Sequence, residues 1–142
     1  MKYEWILVAS RDEARIYSRR GIGPLELVTD IGNPAGLLRT QDLESDRHGR
    51  ASDNRMHARH AYSTEESARD RSIRNFYREV VEIIERAVYE HRFDSLTLIA
   101  EPRLLGIIRN LLSPNIEKLI DREISKDLSY EEPKEILARI DQ

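Results

Sequence analysis

The alternation of hydrophobic and polar positions changes rhythm along the chain, and each change predicts an element. Trp5-Ile6-Leu7-Val8-Ala9 is an unbroken apolar run of the kind that fills a strand buried on both faces. Arg11-Asp12-Glu13 makes a polar turn, and Ala14-Arg15-Ile16-Tyr17-Ser18 then alternates as a second strand paired back onto the first. Gly21 and Gly23 supply the next turn, and Leu25 to Ile31 reads as a third strand ended by Gly32-Asn33-Pro34. After this the periodicity disappears from about 33 to 62, which predicts a long loop. Ser63-Thr64-Glu65-Glu66 has the Ser-x-x-Glu spacing that caps a helix start. Ile73, Tyr77, Val80, Val81, Ile84, Ala87 and Val88 then form one stripe of a helix running to about Glu90 and closed by His91, at the end where the helix dipole favours a cation.

Ser95 to Ala100 reads as a buried strand. Pro102 suits the first turn of a helix lined by Leu104, Leu105, Ile107, Ile108, Leu111 and Leu112, which Ser113-Pro114-Asn115 breaks. Leu119 to Leu128 fits helix and strand spacing alike. A strand is favoured because a strand, a helix and a further strand make a parallel crossover. Pro133 opens a terminal helix bearing Ile136, Leu137 and Ile140. The expected fold is therefore α/β, a mixed sheet in the order βββ-(long loop)-αβαβα with helices packed on it, forming a single domain over 1–142.

Composition narrows the function classes. At 142 residues one core is expected, and cysteine is absent, which removes disulfides, thiolate nucleophiles and Cys-type zinc sites. The apolar run near the N-terminus is too short for an export signal, and no stretch approaches a membrane span, so a cytoplasmic protein without membrane contact is expected. The net charge of −3 argues against a surface that coats nucleic acid everywhere. The basic residues nevertheless divide into 19 Arg and 4 Lys, and no Lys lies between Lys2 and Lys118. Residues 39–78 hold nine arginines against seven acids, making this the basic part of an acidic chain.

The candidate chemistry sits in the long loop. Arg39, Arg47, Arg50, Arg55 and Arg59 are planar, bidentate cations suited to phosphate oxygens. The competing reading is a solvated loop whose charges pair with one another. His57 and His60, with His48 and nearby aspartates, are the metal-ligand candidates, although His-x-x-His on a loop imposes no geometry. His48 is the candidate acid–base side chain. Glu4, Asp30 and Glu101, at strand ends, form a conceivable two-metal cluster. Trp5 and Phe76 read as core.

Four segments in register, Trp5 to Ala9, Asp42 to Arg50, Glu101 to Gly106 and Glu123 to Leu128, resemble the bacterial host attachment protein family over nearly the whole chain. That family is similar in fold to the middle domain of eukaryotic and archaeal peptide-release factors, a ribonuclease H-like α/β sandwich. In that domain the loop between the third strand and the long helix carries a Gly-Gly-Gln tripeptide. The resemblance implies a loop directed at RNA or the ribosome, shaped by Asp42, Ser45, Asp46 and Gly49, with the ribosome or a tRNA as partner and no cofactor. Gly-Gly-Gln itself is missing, since Gly49 is the only glycine between Gly36 and Gly106, so the resemblance implies binding rather than ester hydrolysis. The alternatives are a regulatory protein–protein module indirectly required for attachment and a metal-assisted hydrolase.

Overall fold

The computed structural model describes residues 2–35 and 58–142, with side chains described outside 58–67. Strands β1 (Tyr3–Ala9), β2 (Glu13–Arg20) and β3 (Glu26–Gly32) are followed by helix α1 (Ala58–Tyr89), strand β4 (Ser95–Ile99), helices α2 (Pro102–Arg109) and α3 (Pro114–Glu117), strand β5 (Ile120–Ile124) and helix α4 (Pro133–Ile140). The five strands form one sheet in the order β3-β2-β1-β4-β5. β2 runs antiparallel to both its neighbours, whereas β1, β4 and β5 are parallel. This is the mixed α/β architecture the hydrophobic pattern predicts, with the ambiguous segment after Leu119 a strand.

The period-2 alternation of each strand sorts the core into two layers. Trp5, Leu7, Ala9, Ala14, Ile16, Leu96 and Leu98 face α1, α2 and α3, where they meet Ile73, Tyr77, Val80, Ile84, Leu104, Ile108 and Ile116. Ile6, Val8, Tyr17 and Ile99 face the other way, onto Leu128, Ile136 and Ile140. Trp5 and Phe76 are core residues, and the Trp5 ring stacks on Phe93 at 4.9 Å between centroids.

Three boundaries differ from expectation. The long helix begins at Ala58, so Ser63 to Glu66 lie inside it rather than at its start. Ala58 to Tyr62 contain no Gly or Pro to halt a helix that the apolar stripe downstream already anchors. The loop expected over 33–62 therefore gives up its last five positions to α1, and its centre lies outside the described residues. Ser113-Pro114-Asn115 does more than break α2: the Ser113 hydroxyl accepts a hydrogen bond from the Ile116 amide and caps the single turn of α3. At the other end of α1, His91 has φ 56°, and the bonds His91 N–H to Val88 O and Arg92 N–H to Ala87 O close the helix in the Schellman pattern. His91 thus occupies a left-handed position that glycine usually fills. In the β2–β3 turn the corresponding role falls to Gly21, at φ 59°.

Candidate functional site

β1, β3 and β4 all end at the same edge of the sheet, because β3 and β4 run in the direction of β1. The chain leaves β1 for β2 on one side and leaves β4 for α2 and β5 on the other. Open α/β sheets place their sites at such a divergence between adjacent parallel strands; here the crevice, lined by Arg11, Asp70, Glu101 and Arg103, encloses only about 10 Å³.

The crevice is built on a tightly bonded turn. Ser10 Oγ accepts hydrogen bonds from the Asp12 and Glu13 amides at 3.3 and 3.1 Å, and the Ser10 amide donates to Glu13 O at 2.9 Å. Two side chains fasten this turn to the rest of the fold. Tyr77, fully buried on α1, donates its hydroxyl to Ser10 O at 2.6 Å. Burial pushes the Tyr77 phenol far above its ordinary range, so it stays a donor at any physiological pH. Asn33, 3% exposed just after β3, donates its side-chain amide to Arg11 O at 3.1 Å and accepts from the Ala35 amide at 3.2 Å. Its own backbone amide donates to Asp12 O at 2.7 Å. The exit of β3 is thereby pinned beside the β1–β2 turn.

Two exposed ion pairs bridge the crevice: Arg11 with Glu101 at 3.2 Å, and Arg103 with Asp70 at 2.8 Å. The first links the ends of β1 and β4; the second ties the start of α2 to α1. Beside them a cavity of about 450 Å³ opens between Asn33-Pro34-Ala35 and the Ala68, Arg71, Ser72, Asn75, Phe76 and Glu79 side of α1. Arg71, Arg74 and Arg78 stand three and four residues apart on α1, all exposed, so they form one stripe about 10 Å long. Arg78 donates to the Asn75 side-chain oxygen at 3.1 Å. Among the described residues, none of the three enters an ion pair.

The expected site residues fare as follows. Arg39, Asp42, Ser45, Asp46, Arg47, His48, Gly49, Arg50, Arg55 and His57 lie outside the described residues. Arg59 and His60 belong to the first turn of α1 rather than to a loop, and their side chains lie outside the described ones. The conceivable cluster of Glu4, Asp30 and Glu101 does not exist. Glu4 sits at the start of β1 and accepts a 2.5 Å hydrogen bond from Thr97 Oγ1, while Glu101 follows the far end of β4, roughly 20 Å away along the strands. Asp30, on β3, lies beside Glu13 instead. Glu13 is pushed above the usual carboxylate range, chiefly by burial and then by Asp30, with Arg15 opposing. Among the described residues no group of His, Asp and Glu is arranged to hold a metal ion, and no helix there is long and apolar enough to cross a membrane.

Sequence reading missed Asn33, which it took for a turn residue, and the partners of Arg11 and Arg103. Arg71, Arg74 and Arg78 entered the sequence reading only within the basic charge of residues 39–78, and their alignment on one helix face was not drawn from it.

Solved structures of similar outline include two archaeal proteins. One is an archaeal translation termination factor, 12% identical, with a TM-score of 0.48 over 85% of this chain and 29% of that one. The other is described as an archaeal protein, also 12% identical with a TM-score of 0.48, over 96% of this chain and 35% of that one. The chain spans about a third of the length of these proteins. No curated protein matches its sequence. A family model does match, over residues 5–140, nearly from end to end. The chain belongs to the family described as "Protein required for attachment to host cells".

Proposed function

We propose that this protein is an RNA- or ribosome-associated binding module of the cytoplasm, which holds phosphates along the Arg71, Arg74, Arg78 stripe and with Arg39, Arg47, Arg50, Arg55 and Arg59 of the preceding segment. The observation that carries the reading is the stripe itself. Three exposed guanidinium groups follow one another on a single helix face, continuous in sequence with the basic part of an otherwise acidic chain. Guanidinium groups grip phosphate oxygens bidentately. The rigid turn beneath, held by Tyr77 and Asn33, lets the stripe bind without ordering its support. The role is binding, with no reaction assigned to His48.

Binding of labelled tRNA and of a single-stranded RNA, measured between about 50 and 200 mM salt, tests this. Each phosphate neutralised contributes about 0.7 to the slope of log affinity against log salt for a single strand. The triple variant Arg71→Ala/Arg74→Ala/Arg78→Ala is expected to bind more weakly and to flatten the slope by about 2. If neither RNA binds at the lowest salt, and the protein sediments only in the free pool of a ribosome gradient, the proposal fails.

A further inference from the structure

The arginine stripe borders a concavity whose lining differs from it in chemistry. The cavity of about 450 Å³ between the exit of β3 and α1 falls within the range of sites that hold small organic molecules, about 300–1,000 Å³. One wall is fixed. Asn33 uses its side-chain oxygen, its side-chain amide and its backbone N–H in the bonds to Ala35, Arg11 and Asp12, which sets Pro34 opposite α1. The other wall is a run of α1 from Ala68 to Glu79, about 17 Å of helix. Pro34 and Phe76 give the space flat apolar surfaces, and Ser72, Asn75 and Glu79 give it polar groups. Arg71 belongs both to this lining and to the stripe.

The polar groups are ordered along the helix. Arg78 donates to the Asn75 side-chain oxygen at 3.1 Å, which leaves the Asn75 amide N–H groups to donate to a ligand. Glu79 stands one turn further on the same side of α1, its Cβ about 6 Å from that of Asn75. Among the described residues the Glu79 carboxylate enters no ion pair, and a carboxylate only accepts hydrogen bonds. That carboxylate disfavours a phosphate inside the cavity, whereas Arg71 at its edge favours one. The lining therefore offers a donor beside a double acceptor, over flat apolar surfaces. Guanine presents the complement along one edge, with the O6 acceptor followed by the N1–H and N2–H donors. Adenine, cytosine and uracil lack two adjacent donor nitrogens on that edge.

We propose that this cavity is a guanine pocket for single-stranded RNA. The base lies between Pro34 and the Ser72 to Phe76 stretch of α1, Asn75 donates to O6, Glu79 accepts from N1–H and N2–H, and Arg71 holds the phosphate of the same nucleotide. The pocket rests on the reading of the stripe as an RNA-binding surface and adds a base preference to it. Bases splayed from a single strand are read in this way, by stacking and by bonds to the Watson–Crick edge.

Fluorescence anisotropy with the full chain and labelled pentanucleotides tests this, because UUUUU, UUGUU, UUAUU and UUCUU carry the same phosphates and differ in one base. UUGUU is expected to bind about tenfold more tightly than the others. Inosine in place of the guanine removes the N2 amine and is expected to cost several-fold. Glu79→Gln, an exposed substitution outside the core, should bring UUGUU down to the level of UUUUU and leave UUUUU no weaker than with the parent. Arg71→Ala/Arg74→Ala/Arg78→Ala should weaken all four. Equal binding of the four oligonucleotides overturns the pocket and leaves the stripe standing, whereas binding of none at about 50 mM salt overturns both. A Glu79→Gln variant that keeps the guanine preference also overturns the pocket. So does guanosine monophosphate binding as tightly as UUGUU, because the site would then serve a free nucleotide.

Discussion

The two faces of the sheet are finished by different physics. On one, a 32-residue helix lays Ile73, Tyr77, Val80 and Ile84 on the sheet, and the layer is apolar apart from the Tyr77 hydroxyl that bonds Ser10 O. On the other, an eight-residue helix contributes Ile136 and Ile140, and polar contacts complete the job at both ends. At one end Arg19, 7% exposed, donates two hydrogen bonds to Asp141 at 2.9 and 3.1 Å and a third to Gly23 O. At the other, Arg15 donates to Tyr17 Oη and Ser129 O, while its Nε has no hydrogen bond and stands 3.7 Å from Glu13. Apolar burial is insensitive to pH and salt, whereas ion pairs respond to both. The α1 face is therefore expected to be the stable scaffold, and the α4 face to open locally first.

Ile84→Ala tests the first half of that contrast. Ile84 is fully buried at the centre of the α1 layer, so its truncation should cost about 3–4 kcal/mol of global stability in urea unfolding. A loss below about 1 kcal/mol would mean that α1 is not the scaffold. Arg19→Ala tests the second half. It should cost about 1–2 kcal/mol, because a buried donor set is lost while Asp141 remains half exposed to water. Hydrogen exchange should quicken at Ile136 to Ile140 before it changes in α1. Equal acceleration on both faces would contradict the division.

Protonation sharpens the same contrast. The Arg19 hydrogen bonds hold the Asp141 carboxyl below its ordinary value, with burial opposing. A depressed carboxylate adds stability that is present above its unfolded pKa and lost as pH falls through the folded one. Protection of α4 should therefore drop below about pH 4, and Asp141→Asn should remove that dependence. Glu13 has the reverse sign: raised in the fold, it costs stability at neutral pH, so Glu13→Gln should stabilise slightly at pH 7 and not in acid. The smallest expected effect is at the end of α1. His91→Gly relieves a left-handed residue and should raise stability by about 0.5–1 kcal/mol with no change in RNA binding.

How much of this was legible follows from what each signal encodes. Trp5 to Ala9 and Leu96 to Ala100 announce buried strands because apolar continuity is itself the buried state, and the Ile73 to Val88 stripe announces the α1 face. Ser63 to Glu66 misled because a capping box is a local preference, and a helix already committed downstream runs through it. The site was hidden for another reason. Arg11 meets Glu101, Arg103 meets Asp70 and Arg19 meets Asp141 across 90, 33 and 122 residues, and no periodicity links positions so far apart. Arg71, Arg74 and Arg78 are related locally on one helix, yet the sequence reading took them only as part of the basic charge of residues 39–78.

RNA is expected to meet the arginine stripe and not the α4 face of the sheet. Titrating a short single-stranded RNA into isotope-labelled protein and following backbone amide shifts tests it most directly. The account predicts perturbations along Arg71 to Arg78 and around Asn33, with Glu132 to Leu137 unmoved. Shifts confined to the α4 face, or no shifts at low salt, would contradict it.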